Sequence, residues 1–312
     1  MAARHQGHKT QTQHRQQRDT TNPIEVHLIG QWYWPKSVSR TKELIRVLAT
    51  NTNNTFIQRI HLIQPVHDTP AFINKPAKKH LLRYFERILV YDAYFPMEMF
   101  LRKLEWATTS HSGNLLASGA FRYASQRLKH DVVPGSPTKV AILANQDIYF
   151  DTSLQLLSTS PHSDLSQYTS YFLSRYEEAD AEADSLIGTQ CSKDKFVGSH
   201  DAFVFIPPLP GPLIERCAFE LGSWGIEARL LWEFEQFGIT GRNPCKDIKI
   251  WHVHRGGLKE GGSDAGSEVS RKAMPEVNVD GKSSIAFPDA LKTQFKKVVD
   301  ELWGLQVSAQ KS

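Results

Sequence analysis

The sequence is poor in cysteine and in long apolar runs, and both absences limit what the protein can be. Its 312 residues contain three cysteines, Cys191, Cys217 and Cys245, without the spacing of a zinc site. Such a small, odd number does not indicate a disulfide framework, although a single bridge stays open. No apolar run could span a membrane, and the N-terminus lacks the apolar core of a signal peptide. We therefore expect a cytoplasmic protein; a secretory-lumen domain that lacks its native N-terminus is the alternative.

The chain also lacks a strong excess of one charge. Its net charge is +4, and residues 1–22 contribute most of it through four Lys/Arg against one Asp. The remainder is close to neutral, so we expect no basic groove and no nucleic-acid partner. Residues 1–22 contain almost nothing to bury and are predicted to be a disordered polar arm.

The body of the chain alternates apolar runs of strand character with helical patterns. Strand-like runs lie at 24–29, 57–63, 87–91, 140–144, 203–205 and 248–253, and helical patterns at 39–49, 115–128 and 226–237. Such an alternation predicts an α/β fold with a mainly parallel central sheet flanked by helices, here a single domain over residues 23–256. Residues 257–286 are rich in Gly, Ser and charge and predict a flexible linker. Residues 287–312 predict an amphipathic helix with a short tail.

One apolar run is followed by residues that can bind a cation. Val140 to Ala144 predicts a buried strand of a parallel sheet, and Asn145, Gln146 and Asp147 follow it directly. Ligands of open α/β sheets bind beyond the carboxyl ends of the strands. Alternation of side chains predicts that Asn145 and Asp147 face the same side, where they could hold a hard divalent cation. A strand end closed by a turn-forming Asn and Asp is the alternative, and Asp151 either faces the same cleft or begins the next turn.

Three later segments accompany this strand: GSHDAFVF at 198–205, FELGSWGIEAR at 219–229 and NPCKDIKIWHVH at 243–254. In this order the segments resemble nucleotide-sugar glycosyltransferases of the GT-A fold, over roughly residues 24–255. They are most similar to a group whose metal strand reads approximately Ala-Asn-Ser-Asp-Ile-Tyr-Phe-Asp. The resemblance implies metal-dependent transfer of a sugar from a nucleoside-diphosphate donor to a hydroxyl of a glycan, protein or small-molecule acceptor.

The resemblance also implies roles around the cation. Asp147 would be the principal anionic ligand of Mn²⁺ or Mg²⁺, and Asn145 would contact the donor in place of the first Asp of an Asp-x-Asp motif. His252 or His254 would complete the metal shell. The two histidines alternate on the predicted late strand, so we expect both rings on one face. A pair of partly exposed strand histidines is the plainer interpretation.

The remaining roles lie on the acceptor side and around the phosphates. Glu227 matches the acidic acceptor motif and would be the general base, although the helix dipole alone also favours a carboxylate in the first turn. Asp201 is the competing carboxylate. Arg40 and Arg229 would contact phosphate, or lie in a helix start and a salt bridge respectively. Aromatic residues 32–34 would stack on the base or join the core.

Two hypotheses of function stand at this point, an active transferase and a non-catalytic relative that binds a nucleotide sugar or glycan. The second rests on Asn145 and on Ile226, Glu227 and Ala228, because the group resembled has Cys-Asp-Asn at those last three positions. A metal-dependent hydrolase that uses His252-x-His254 is a weaker third, since such sites need more ligands than the sequence clusters here.

Overall fold

The computed structural model describes residues 23–33, 38–65, 102–109, 114–129, 135–159, 162, 165–178, 200–222 and 226–253. The predicted arm at 1–22, the strand at 87–91, the linker at 257–286 and the helix at 287–312 lie outside these residues, as does His254.

A mainly parallel sheet forms the centre of the molecule, as the sequence predicts. In chain order the strands are β1 (Ile24–Gln31), β2 (Ile57–Pro65), β3 (Leu104–Thr109), β4 (Thr138–Ala144), β5 (Ile148–Phe150), β6 (Thr169–Ser174), β7 (Tyr176–Glu177), β8 (His200–Phe205), β9 (Thr240–Arg242) and β10 (Ile250–His252). The large sheet has the order β3-β2-β1-β4-β8-β6-β9, and within it only β8 is antiparallel to its neighbours. A small sheet has the order β5-β10-β7.

Helices cover both faces of the large sheet, which explains its continuous apolar strands. They are α1 (Val38–Asn53), α2 (Ala117–Arg127), α3 (Gly211–Arg216) and α4 (Ile226–Gln236), with a 3-10 helix at Thr152–Ser158. Residues of α1 and the 3-10 helix belong to one buried apolar cluster, and residues of α2, α3 and α4 belong to another. Gly238 has a φ of 73° just beyond α4, where a left-handed residue ends a helix.

The connection from β4 to β5 carries the chain from the large sheet to the small one. The Ile148 N–H donates to the Asn145 carbonyl at 3.2 Å and closes a turn, and the Val253 N–H donates to the Asp147 carbonyl at 3.0 Å. Strand β4 therefore ends at Ala144, and strand alternation does not apply to Asn145 and Asp147. The segment forms a turn, as the alternative interpretation has it. The expectation that Asn145 and Asp147 share a face through strand alternation is wrong, because neither residue lies in a strand.

Two general expectations concern cysteine and the membrane. Cys245 lies in a disulfide bond, while Cys217 is a free and buried thiol. Cys191, the remaining cysteine, lies outside the described residues. Within the described part of the chain, no helix combines the length and the apolar character needed to cross a membrane.

Candidate functional site

Asp147 receives two cationic donors at the turn after β4. Arg40 donates from Nη2 to the Asp147 Oδ2 atom at 2.5 Å, and the His252 Nε2 atom lies 3.2 Å from the same oxygen. Burial acts to raise the pKa of Asp147, but the hydrogen bonds and charges of His252 and Arg40 outweigh it and hold that pKa at about 2. Asp147 is therefore a carboxylate at neutral pH.

His252 lies between two carboxylates. Its Nδ1 atom is 2.7 Å from the Glu177 Oε2 atom, and the backbone register of β10 against β7 pairs the same two residues. Burial lowers the pKa of His252, but its hydrogen bonds to Asp147 and Glu177 raise it to about 9. Because a carboxylate only accepts, each ring nitrogen carries a proton in this arrangement, and a cation bound at Nε2 would have to displace the proton there.

Asp201 and Asn145 continue the same network on the large sheet. Asn145 donates from its amide nitrogen to the Asp201 Oδ1 atom at 3.1 Å. Arg175 donates from Nη1 to both oxygens of Asp201 at 2.9 and 3.1 Å, and from Nε to the Glu177 Oε1 atom at 2.7 Å. Burial raises the pKa of Asp201, and Arg175 opposes that rise. Polar contacts thus run without a break from Asn145 through Arg175 to His252 and Asp147.

Arg40 is fixed in the first turn of α1 rather than exposed. Its Nη1 atom donates to the Glu43 Oε2 atom and to the Val253 carbonyl, both at 3.0 Å. Burial opposes the charge, but Asp147 and the hydrogen bonds to Glu43 and Tyr33 raise the pKa of Arg40. A guanidinium held in this way can pair with an anion that enters beside Asp147.

The aromatic residues after β1 divide between the core and the surface. Trp32 is 1% exposed and belongs to the core, whereas Tyr33 is 42% exposed. The Tyr33 N–H donates to the Gln146 Oε1 atom at 3.4 Å, so Tyr33 lies at the turn that carries Asp147. Trp34 is outside the described residues. Of the two described members of the predicted aromatic group, Tyr33 is the one exposed for stacking.

Arg229 and Asp151 contact residues outside the network around Asp147. Arg229 donates from Nε to the Glu233 Oε1 atom at 2.8 Å, with its guanidinium carbon 5.2 Å from the Trp232 ring centre. This is the salt bridge that stood as the alternative for Arg229. Glu227 lies half-buried in the first turn of α4, as expected. Asp151 caps the 3-10 helix and accepts from the Trp251 Nε1 atom at 2.8 Å, so it begins a turn instead of facing the cleft.

Asp147 and His252 bring a carboxylate and an imidazole close together. Carboxylate with imidazole suits Mn²⁺, and a histidine ligand is typically held through its other nitrogen, as Glu177 holds His252. Within the described residues no group of three or more His, Cys, Asp or Glu could hold a metal ion. Asp147 and His252 offer two potential ligands, so a cation at this place would need further ligands from substrate or water.

Arg175 and Glu177 are the network residues that the sequence analysis missed. An Arg and a Glu two residues apart on a strand share a face, and that spacing was the available signal. It could not be used without knowing that β7 lies beside β10.

No protein-family model and no curated protein matches the chain. Among solved structures it is similar to GalNAc-T7 with UDP, GalNAc and Mn²⁺, at 10% identity and a TM-score of 0.44, covering 92% of this chain. The chain spans 50% of that GalNAc-T7 chain. It is also similar to the mannosyltransferase PcManGT from Pyrobaculum calidifontis with GDP-Man and Mn²⁺, at 10% identity and a TM-score of 0.41, over 75% of this chain and 59% of that one.

A third match is 4-diphosphocytidyl-2C-methyl-D-erythritol synthase from Anaerococcus prevotii, at 10% identity and a TM-score of 0.41, over 80% of this chain and 98% of that one. All three likenesses combine 10% identity with a TM-score below 0.5, too little to assign a role to this chain. We therefore draw the function from this chain's own residues.

Proposed function

We propose that the chain transfers a sugar from a nucleoside-diphosphate donor to an acceptor hydroxyl, with a divalent cation, Mn²⁺ or Mg²⁺, held by Asp147 and His252. One observation carries this proposal. Asp147, His252 and Arg40 meet at the carboxyl end of β4, with the His252 Nε2 atom 3.2 Å and the Arg40 Nη2 atom 2.5 Å from Asp147 Oδ2. The resemblance of the sequence motifs to those of GT-A transferases supports donor binding at this position.

The cation, when bound, neutralises the negative charge that develops on the leaving diphosphate. The residues around it have separate tasks. Arg40 pairs with a phosphate oxygen, and Tyr33 stacks on the base or sugar at the rim of the turn. Asn145 fixes the turn through Asp201 and offers its amide oxygen to the donor. Glu227 accepts the proton of the attacking hydroxyl.

The test of metal binding is the substitution Asp147→Ala. Removing the carboxylate should abolish the part of UDP or GDP affinity that depends on Mn²⁺, because His252 alone does not hold a hard cation. Calorimetric titration of each nucleotide with and without Mn²⁺ measures this difference, and the unfolding midpoint controls for the fold. An unchanged Mn²⁺-dependent affinity in the variant contradicts the proposal.

The second candidate function is binding of a nucleotide sugar or glycan without turnover. It is favoured by Asn145, whose amide nitrogen donates to Asp201 and whose neutral side chain supplies no charge to a cation. Incubation with a panel of nucleotide sugars and Mn²⁺, followed by assay of the released nucleotide, separates the two. Release of nucleotide supports the transferase, whereas saturable binding of a donor without release supports the binding protein.

A further inference from the structure

Two residues hold the His252 ring beside Asp147, and both lie outside the sequence motifs that contain His252 and Asp147. They are Arg175 and Glu177. His252 lies at the end of β10 in the small sheet, and Asp147 lies at the turn that leaves the large sheet. A side chain that bridges the two sheets at this place would fix the distance between them.

Arg175 is in a position to do so. It is the single residue between β6 of the large sheet and β7 of the small sheet. Its guanidinium donates to Asp201, the second residue of β8, and to Glu177 on β7. The planar fork of an arginine can contact two carboxylates at once, which a lysine ammonium does less well.

Glu177 is occupied on both oxygens. Oε1 accepts from Arg175 at 2.7 Å, and Oε2 accepts from the His252 Nδ1 atom at 2.7 Å. A carboxylate bound at Nδ1 orients the ring so that Nε2 points to Asp147. Outer contacts of this kind typically change metal affinity by about 10–100-fold when they are removed.

We propose that Arg175 and Glu177 are positioning residues that join the two sheets and hold the His252 Nε2 atom toward Asp147. Their effect on metal affinity rests on the function proposed above, whereas their effect on the ring does not require a metal.

The variant that tests this is Glu177→Gln. A glutamine replaces one of the two carboxylate oxygens with an NH₂ donor, so it cannot accept at both of the positions where Arg175 and His252 now donate. The matched control is Glu178→Gln, because the neighbouring glutamate accepts instead from Arg46 and, at 3.4 Å, from the Tyr149 hydroxyl. Arg175→Lys is a second variant, which keeps the charge and loses the fork.

Two measurements apply to each variant, besides the unfolding midpoint. The first is the hydrogen-bonded Nδ1–H resonance of His252 in the metal-free ¹⁵N-labelled protein, identified by its loss in His252→Gln. The second is the affinity for Mn²⁺ at saturating UDP or GDP. We expect Glu177→Gln to lose the resonance and to bind Mn²⁺ about 10–100-fold more weakly, Arg175→Lys to show a smaller change, and Glu178→Gln to match the wild type.

The outcomes separate the two proposals. If the wild type binds no Mn²⁺ while the resonance is lost in Glu177→Gln alone, the proposed function fails and the positioning role stands. If Glu177→Gln keeps both the resonance and the Mn²⁺ affinity of the wild type, the positioning role is wrong. A weaker Mn²⁺ affinity with an unchanged resonance also overturns it, because the effect then does not pass through His252.

Discussion

Asp201 and Glu227 compete for the role of general base, and their surroundings differ. Asp201 is 3% exposed and accepts from Arg175 with both oxygens and from Asn145 with one. Glu227 is half-buried in the first turn of a helix. A base must be able to accept the proton of the attacking hydroxyl, and because both oxygens of Asp201 already accept hydrogen bonds, Asp201 is poorly placed for that role.

The kinetic prediction compares Glu227→Gln with Asp201→Asn. We expect Glu227→Gln to lower kcat by about two to four orders of magnitude and to leave donor binding intact, because only proton transfer is lost. Asp201→Asn should instead weaken donor binding and lower the unfolding midpoint, since Arg175 loses a buried partner. Steady-state kinetics and calorimetry measure both. If Glu227→Gln kept full turnover and Asp201→Asn lost it, Asp201 would be the general base and Glu227 would not.

Asn145 also contributes to the stability of the fold, because its amide nitrogen donates to Asp201. Asn145→Asp would place two carboxylates against each other where Asp201 is buried, and we expect it to destabilise the fold by about 1–3 kcal/mol. The double variant Asn145→Asp/Asp201→Asn restores an amide–carboxylate pair, so it should be less destabilised than the two single changes added together. Urea unfolding of the four proteins measures the coupling. Simple additivity would show that the pair does not interact.

Among the elements, β1 and β2 carry a buried histidine pair. The His27 Nδ1 and His61 Nε2 atoms are 2.9 Å apart, and the Tyr123 hydroxyl lies 2.9 Å from His61 Nδ1. Burial lowers the pKa of His61 to about 3, with His27 and nearby arginines adding to the effect. Burial also lowers the pKa of His27. The charged groups that face the pair are Glu25, Arg59, Glu105, Arg127 and Lys139.

Because burial lowers the pKa of both histidines, we expect the folded protein to lose stability in mild acid. Below pH 6.5 the unfolded chain binds protons that His61 does not bind in the folded state, so the free energy of unfolding falls as the pH falls toward 3. Between pH 7.5 and 5 the loss from His61 is about 2 kcal/mol. His252 acts in the opposite sense, since its raised pKa contributes stability that is complete below pH 6.5 and is lost as the pH rises through 9.

The variant His61→Gln isolates the effect of the pair from that of His252. Glutamine keeps a hydrogen-bonding group and does not titrate, so His61→Gln should lose about 2 kcal/mol less than the wild type between pH 7.5 and 5. Urea unfolding of both proteins at the two pH values gives the comparison. Equal losses in the two proteins would mean that His61 is protonated in the folded state.

Strands and helices with a long apolar pattern were predictable from the sequence. Contacts that depend on which strands pair with one another were not. Strands β1, β2 and β4 and helices α1, α2 and α4 lie within a few residues of their predicted bounds because burial on a sheet dictates their pattern. Strand β3 was missed, because three of the six residues of LEWATT are polar and leave no apolar run to recognise. The contacts of Asp147 and His252 depend on β10 lying between β5 and β7, which no local pattern encodes.

At the scale of the whole molecule, the candidate site lies where the two sheets meet. The large sheet supplies Asp147 after β4 and Asp201 on β8, and the small sheet supplies His252 and Glu177. Changes that shift one sheet against the other are therefore expected to alter metal and donor affinity before they unfold the chain.

The last prediction concerns the parts of the chain beyond these two sheets. The sequence predicts a polar arm at 1–22 and a linker at 257–286, while every strand named above lies within residues 24–252. Limited proteolysis should therefore cut within 1–22 and 257–286 first, because neither segment has the apolar residues needed to pack on a core. Mass spectrometry identifies the cut sites, and calorimetry compares the Mn²⁺-dependent UDP or GDP affinity of the trimmed and full-length proteins. We expect equal affinities. Protection of the arm from protease, or a weaker affinity after trimming, would show that these segments pack on the domain and take part in binding.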